Sequence, residues 1–128
     1  MKTQEKIKSF TDLICWKKGH ELVKETYSTT SNFPREERYA LTSQLRRCVV
    51  SITSNIAEGF SRRSTKEKVW FLVMALGSLN ELQNQLLVAK DVGYLEEDIF
   101  NKLDERSIEV SKLINGAIKS LEKNSEDT

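Results

Sequence analysis

Apolar and amphipathic residues recur at steps of three and four in four successive stretches of this chain. That period admits little besides amphipathic helices packed along a shared core. The first stretch is Leu13, Trp16, His20, Val23, Tyr27 and Thr30, widened by Ile14 and Leu22. The second is Leu41, Leu45, Cys48, Ile52 and Ile56, and the third Val69, Leu72, Leu76, Leu79, Leu82, Leu86 and Ala89. The fourth is Ile99, Leu103, Ser107, Val110, Ile114, Ala117 and Leu121. One Pro and five Gly leave such helices largely uninterrupted.

Start and stop signals divide the stripes. Pro34 suits a first helical position, and Glu36-Glu37 the positive end of the helix dipole. Gly59 follows a helical run and reads as a left-handed stop, since no Cβ opposes positive φ. Ser64-Thr65-Lys66-Glu67 has the form of a capping box, which satisfies two orphan backbone donors. Gly93 closes the third helix, and the acid-rich Glu96-Glu97-Asp98 opens the fourth. The expected helices are 12–30, 35–58, 65–91 and 96–122, in one bundle domain over 12–122. A polar arm, 1–11, precedes it, and a polar tail, 123–128, is expected to fray. Short connections force antiparallel neighbours, so the expected fold is all-α, an up-down-up-down four-helix bundle.

The chain's 128 residues suffice to bury a core without metals or disulfides. No apolar run approaches the ~20 residues that span a bilayer. The charged start Met1-Lys2-Thr3-Gln4-Glu5-Lys6 has no apolar stretch after it, so no signal peptide or membrane association is expected and the location is expected to be cytoplasmic. Cys15 and Cys48 are too few for a disulfide scaffold, and Cys48 lies on an apolar stripe as a small reduced hydrophobe. His20 is the only imidazole, expected as a hydrogen-bonded core or boundary histidine rather than a ligand. With no second His and no phosphate loop, no metal, cofactor or catalytic residue is expected. Asn55 and Glu58 with Arg47 offer at most a small polar pocket without a nucleophile–base pair.

Charge is uneven along the chain. Residues 35–68 carry eight Lys or Arg against four Glu, while residues 69–128 carry six basic against eleven acidic residues. Arg46, Arg47, Arg62, Arg63, Lys66 and Lys68 are the candidate phosphate contacts, although the overall pI is only about 7.7. Beside the second apolar seam runs a polar row, Gln44, Arg47, Ser51, Asn55 and Glu58, and Ser78, Glu81 and Gln85 make a similar line on the third helix. Short neutral polar residues beside a core need partners. Folding the chain about residues 60–64 sets Arg47 near Ser78 and Gln44 near Glu81. It predicts that Arg46 or Arg47 pairs with Glu81, and that Ser51 and Asn55 bond across the seam. Two readings of the row stay open: it pins helix register, or it binds a ligand. Trp70, Phe71, Val73, Met74, Leu87 and Val88 make the third helix apolar over more of its circumference than one core needs, so part of it is expected to face another subunit. Gly19 and Gly77-Ser78 permit close approach of a neighbouring helix.

These residues resemble a known family. Phe33-Pro34, Glu37, Tyr39, Leu41, Gln44-Leu45-Arg46-Arg47, Ser51-Ile52 and Asn55-Ile56-Ala57-Glu58-Gly59 look like the proteins encoded in 23S ribosomal RNA intervening sequences, also called four helix bundle proteins. The likeness begins at Trp16 and Leu22 and continues through Phe71-Leu72, Ala75, Gly77-Ser78, Glu81-Leu82 and Gly93-Tyr94. Gly19 and Ala40 stand where Ala and Gly are more familiar, and Thr53 where Pro often sits, changes that bear on helix bending. The resemblance implies a left-handed four-helix bundle in a homopentameric ring, with no enzymatic activity known. It marks Gln44, Ser51, Asn55, Glu58, Gly59, Ser78 and Glu81 as the motif positions. A related branch, the accessory variability determinants of diversity-generating retroelements, forms basic pentamers that bind a reverse transcriptase and nucleic acid. The expected function is therefore that of a non-enzymatic homo-oligomer associated with RNA or ribonucleoprotein. The alternative is a protein–protein adaptor, for example accessory to a reverse transcriptase.

Overall fold

The structure, a computed structural model, describes residues 6–126. Residues 1–5 of the expected arm and 127–128 of the expected tail lie outside them. The described chain is all-α, with no strand: α1 (Ile14–Thr30), α2 (Leu41–Ser61), α3 (Thr65–Asp91) and α4 (Glu97–Glu126), plus single 3-10 turns at Phe10–Asp12 and Arg35–Glu37. The helices form a four-helix bundle in which α2 packs on α3, α3 on α4, and α1 on both α2 and α4. The shared core holds Leu22, Leu45, Ile52, Ile56, Leu79, Leu82, Leu86, Leu103 and Ile114, all almost wholly buried.

Segment by segment, the outcome follows local chemistry. Part of the expected arm is ordered by Ser9, which caps the first 3-10 turn in a reciprocal box with Asp12. The second helix starts later than expected. Residues 35–37 form a separate turn, and Ala40, at φ −123° and ψ −108°, interrupts the helical path before Leu41. The far end of α4 extends to Glu126 rather than stopping at 122.

α3 keeps the expected bounds because both ends are signalled. At its start the Ser64 hydroxyl accepts the Glu67 amide at 3.1 Å. The reciprocal half of the expected box is missing, since Glu67 receives the Ser64 hydroxyl at 3.3 Å and faces Arg62. At its end Gly93 adopts φ +88°, the sole positive φ among the described residues. Its amide bonds Lys90 O at 3.0 Å, and the Tyr94 amide bonds Ala89 O at 2.9 Å, so both orphan carbonyls are satisfied in a Schellman closure.

Gly59 is not a stop. α2 runs past it to Ser61. A Cβ at Gly59 would lie 3.1 Å from Phe71 Cβ and 3.3 Å from Lys68 O, so this glycine is there to bring α2 and α3 together.

The α1 seam is rotated from the expected one. Cys15, Gly19, Leu22, Thr26 and Thr30 face the core, whereas His20, Tyr27 and Ile14 are exposed. The threonines tolerate burial because Thr26 and Thr30 donate to Leu22 O and Thr26 O at 2.8 and 2.7 Å. Gly19 admits Thr53, whose methyl would sit 3.0 Å from an added Cβ. His20 instead stacks on Trp16 at 4.6 Å, outside the core.

Candidate functional site

α2 and α3 carry most of the chemistry anticipated from the sequence, and the bundle sorts it into three places.

The first is the polar seam between these two helices. The Ser51 and Ser78 hydroxyls meet at 2.8 Å, which bears out the expected bond across the seam. Cys48 Sγ donates to Ser78 O at 2.9 Å. The Asn55 amide turns back within α2, donating to Ser51 O at 2.9 Å and to Ser51 Oγ at 3.3 Å, rather than crossing. Gln85 donates to Glu81 at 3.2 Å and to Gln44 at 3.4 Å. The register is one turn from that expected: Gln44 meets Gln85, and Ser51 rather than Arg47 meets Ser78. Neither arginine pairs with Glu81. Arg46 points to α1, where its Nε donates to Thr30 Oγ1 at 2.9 Å and its Nη2 to Tyr27 O at 3.3 Å. Its guanidinium also covers the Tyr27 ring at 4.6 Å. Glu58 and Gly59 stand outside this network.

Burial pushes the Cys48 thiol up to about 12, helped by the nearby Glu81 carboxylate, and burial raises Cys15 as well. Folding thus favours the protonated thiol. The contribution of Cys48 to stability is full below the ordinary value of 9.0 and is lost as pH climbs toward about 12. Iodoacetamide at about pH 8.5 is therefore expected to spare both cysteines in the folded protein and label both in urea, as read by intact mass.

The second place is the α2–α3 turn. Glu58 and Arg62 form an ion pair at 3.0 Å, and the Arg62 guanidinium lies over Phe71 at 4.7 Å. Lys68 Nζ donates to Phe60 O at 2.9 Å. Arg62 and Lys68 thus hold the turn shut. Arg63 and Lys66 are exposed and make no ion pair among the described residues, and the same holds for Arg47. The six candidate cations do not form one patch. Arg46 and Arg62 are separated by about 24 Å along α2, at the helical rise per residue.

The third place is a cleft of about 380 Å³ at the α1–α2 connection, where Arg46 is joined by Arg35 and Arg38. These two arginines belong to the basic stretch 35–68 but are not among the six candidate contacts expected from the sequence.

The fold and these surfaces define a class, an all-α four-helix protein whose polar residues mostly tie helix to helix. The model of the 23S rRNA-intervening sequence protein family matches residues 11–116, and the chain belongs to that family. Its structure is similar to the crystal structure of a protein of unknown function from the S23 ribosomal protein family of Bacteroides thetaiotaomicron. The TM-score is 0.74 at 23% identity, over 83% of this chain and 99% of that one. At that identity the likeness speaks to the fold. No curated protein matches the sequence. No helix among the described residues is long and apolar enough to cross a membrane.

Proposed function

We propose that this is a non-enzymatic, homo-oligomeric helical protein of the cytoplasm that associates with RNA or ribonucleoprotein. The observation that carries the reading is the outer face of α3, where Trp70, Val73 and Met74 are 56, 51 and 45% exposed. Leu87 and Val88 extend it toward the end of the helix. Gly77 lies on the same face with open space where a Cβ would stand. A mid-helix glycine costs about 1 kcal/mol against Ala, and no contact at this position among the described residues offsets that cost. Close approach by a second copy would.

An up-down-up-down order accords with paired contacts whose positions rise on one helix as they fall on the next. Gly19 meets Thr53 while Thr30 meets Arg46; Gly59 meets Phe71 while Gln44 meets Gln85; Lys90 meets Phe100 while Gln83 meets Ser107. The left-handed twist and five-membered ring are the family expectation. A ring repeats Arg47, Arg63 and Lys66 around an axis, and weak phosphate contacts so repeated add through multivalency.

Light scattering with an RNA shift assay tests this. The expected result is a mass several times that of one chain and RNA retention that falls steeply with salt. A one-chain mass defeats the assembly, and no RNA retained at low salt defeats the association. The same apolar face also suits an adaptor that docks on a protein such as a reverse transcriptase; a one-chain mass with α3 protected in the captured complex favours that reading.

A further inference from the structure

We infer that the cleft at the α1–α2 connection binds a phosphate group, held by Arg35, Arg38 and Arg46 with the Thr42 hydroxyl. The site is built from three elements. Thr30 supplies its wall from the last turn of α1, Arg35 and Arg38 come from the connection, and Thr42 and Arg46 come from the first turns of α2.

Positive charge here is concentrated and unopposed. The Arg35 and Arg38 side chains make no ion pair or hydrogen bond among the described residues, and no carboxylate lines the cleft. The nearest candidate, Glu37, is engaged elsewhere: one oxygen accepts the Leu41 amide at 3.3 Å and the other the Tyr94 hydroxyl at 2.9 Å. Glu36 is exposed and does not line the cleft. Arg46 is held in place by Thr30, Tyr27 O and the Tyr27 ring, yet its Nη1 remains uncommitted. Three like charges around one cavity raise the local potential for an anion, and planar guanidinium forks match phosphate oxygens.

Two further features point to the same ligand. Thr42 is only 7% exposed, lines the cleft, and its hydroxyl has no hydrogen-bond partner among the described residues. The cleft also opens at the start of α2, whose N-cap Ala40 has no side chain to satisfy the first-turn amides. Glu37 takes the Leu41 amide, but Ala40 caps none of the amides that follow, and beside arginines and a free hydroxyl these can receive phosphate oxygens. Buried Phe33 gives the cleft one apolar wall.

The inference stands apart from the RNA reading, because inorganic phosphate alone tests it. The full chain is titrated with inorganic phosphate against chloride at matched ionic strength, following the Thr42 amide by NMR and the heat of binding. A saturable shift is expected. The Arg35→Gln/Arg38→Gln variant should weaken it by about tenfold or more, since each charged hydrogen bond lost is worth roughly that factor. Both arginines are exposed and their side chains make no hydrogen bond or ion pair among the described residues, so this variant should melt with the parent in chloride. Lys119→Gln, on exposed α4 surface, should bind phosphate as the parent does. Two RNA oligomers differing only in a 5′-phosphate or 5′-hydroxyl separate the sources. Competition by the phosphorylated one alone assigns a terminal phosphate, and equal competition assigns the backbone. No saturable shift beyond that in chloride, or an equal shift in the double variant, overturns the inference.

Discussion

Gly59→Val is expected to unfold about 8 °C below the parent protein, a loss of about 2 kcal/mol spread over a chain of this size. The cause is the crossing of α2 and α3. Any Cβ at Gly59 meets Phe71 Cβ at 3.1 Å and Lys68 O at 3.3 Å. Neither atom is the free end of a side chain, so rotamer changes give no relief and α3 itself must shift. A cavity of about 290 Å³ lined by Leu13, Ile56, Gly59 and Leu72 lies alongside and can receive a γ methyl, but it does not move the Cβ. The usual gain of about 1 kcal/mol on removing a helical glycine is thereby outweighed. Gly77→Ala is the matched control, because nothing lies within 4 Å of its added methyl. In the isolated chain it should be neutral or stabilising. A Gly59→Val protein melting with the parent would show that α3 slides freely, contrary to the tight contact.

The way Gly59 was misread shows where sequence reasoning ran out. A glycine after a helical run signals either a left-handed stop or a close helix crossing, and composition alone does not separate them. At Gly93 the stop reading held, because the helix pattern also ended there. α3 was legible to the residue for the same reason: a cap at Ser64 and a stop at Gly93 agree with the periodicity between them. The α2 seam was legible because Leu45, Cys48, Ile52 and Ile56 are small or aliphatic and have no alternative place. The α1 seam was legible in part: Leu22 and Thr30 are buried and Leu13, Trp16 and Val23 pack against the core, but His20, Tyr27 and Ile14 are exposed. Rings with polar atoms work equally well at a surface, as His20 stacked on Trp16 shows, while Cys15 and Thr26 are the seam residues that the pattern left out.

Candidate site residues were legible by place but not by partner. The cross-seam meeting of Ser51 and Ser78 came from folding the hairpin about its turn. The arginine pairing failed because it depends on rotation about the α2 axis, which turns Arg46 to α1 and leaves Arg47 facing outward. Nor does a run of basic residues reveal which charges are already used. Arg62 and Lys68 are committed to the turn, and Arg63 and Lys66 are not. Arg35 and Arg38 were within reach of the sequence, since steps of 3, 4 and 4 set Arg35, Arg38, Thr42 and Arg46 on one face even of a continuous helix.

Val73→Glu/Met74→Glu is expected to reduce the proposed homo-oligomer to single chains while leaving their fold intact. Both side chains project from α3, are 51 and 45% exposed, and make no ring contact or hydrogen bond within the chain. Their replacement should therefore change the melting temperature of a lone chain by no more than about 2 °C, as surface substitutions do. In an assembly the balance is different. Burying Val and Met contributes about 1.5–3 kcal/mol each, and in a ring the loss recurs at every interface. Each new carboxylate must also leave water without a partner, which costs several kcal/mol more. Together these exceed what an interface of ordinary size retains, so dissociation should be complete at micromolar concentration rather than partial. Light scattering gives the mass and circular dichroism the fold. A full-size assembly that survives both glutamates would move the contact off this face of α3. It would leave Gly77 and the exposed stripe for a different protein partner.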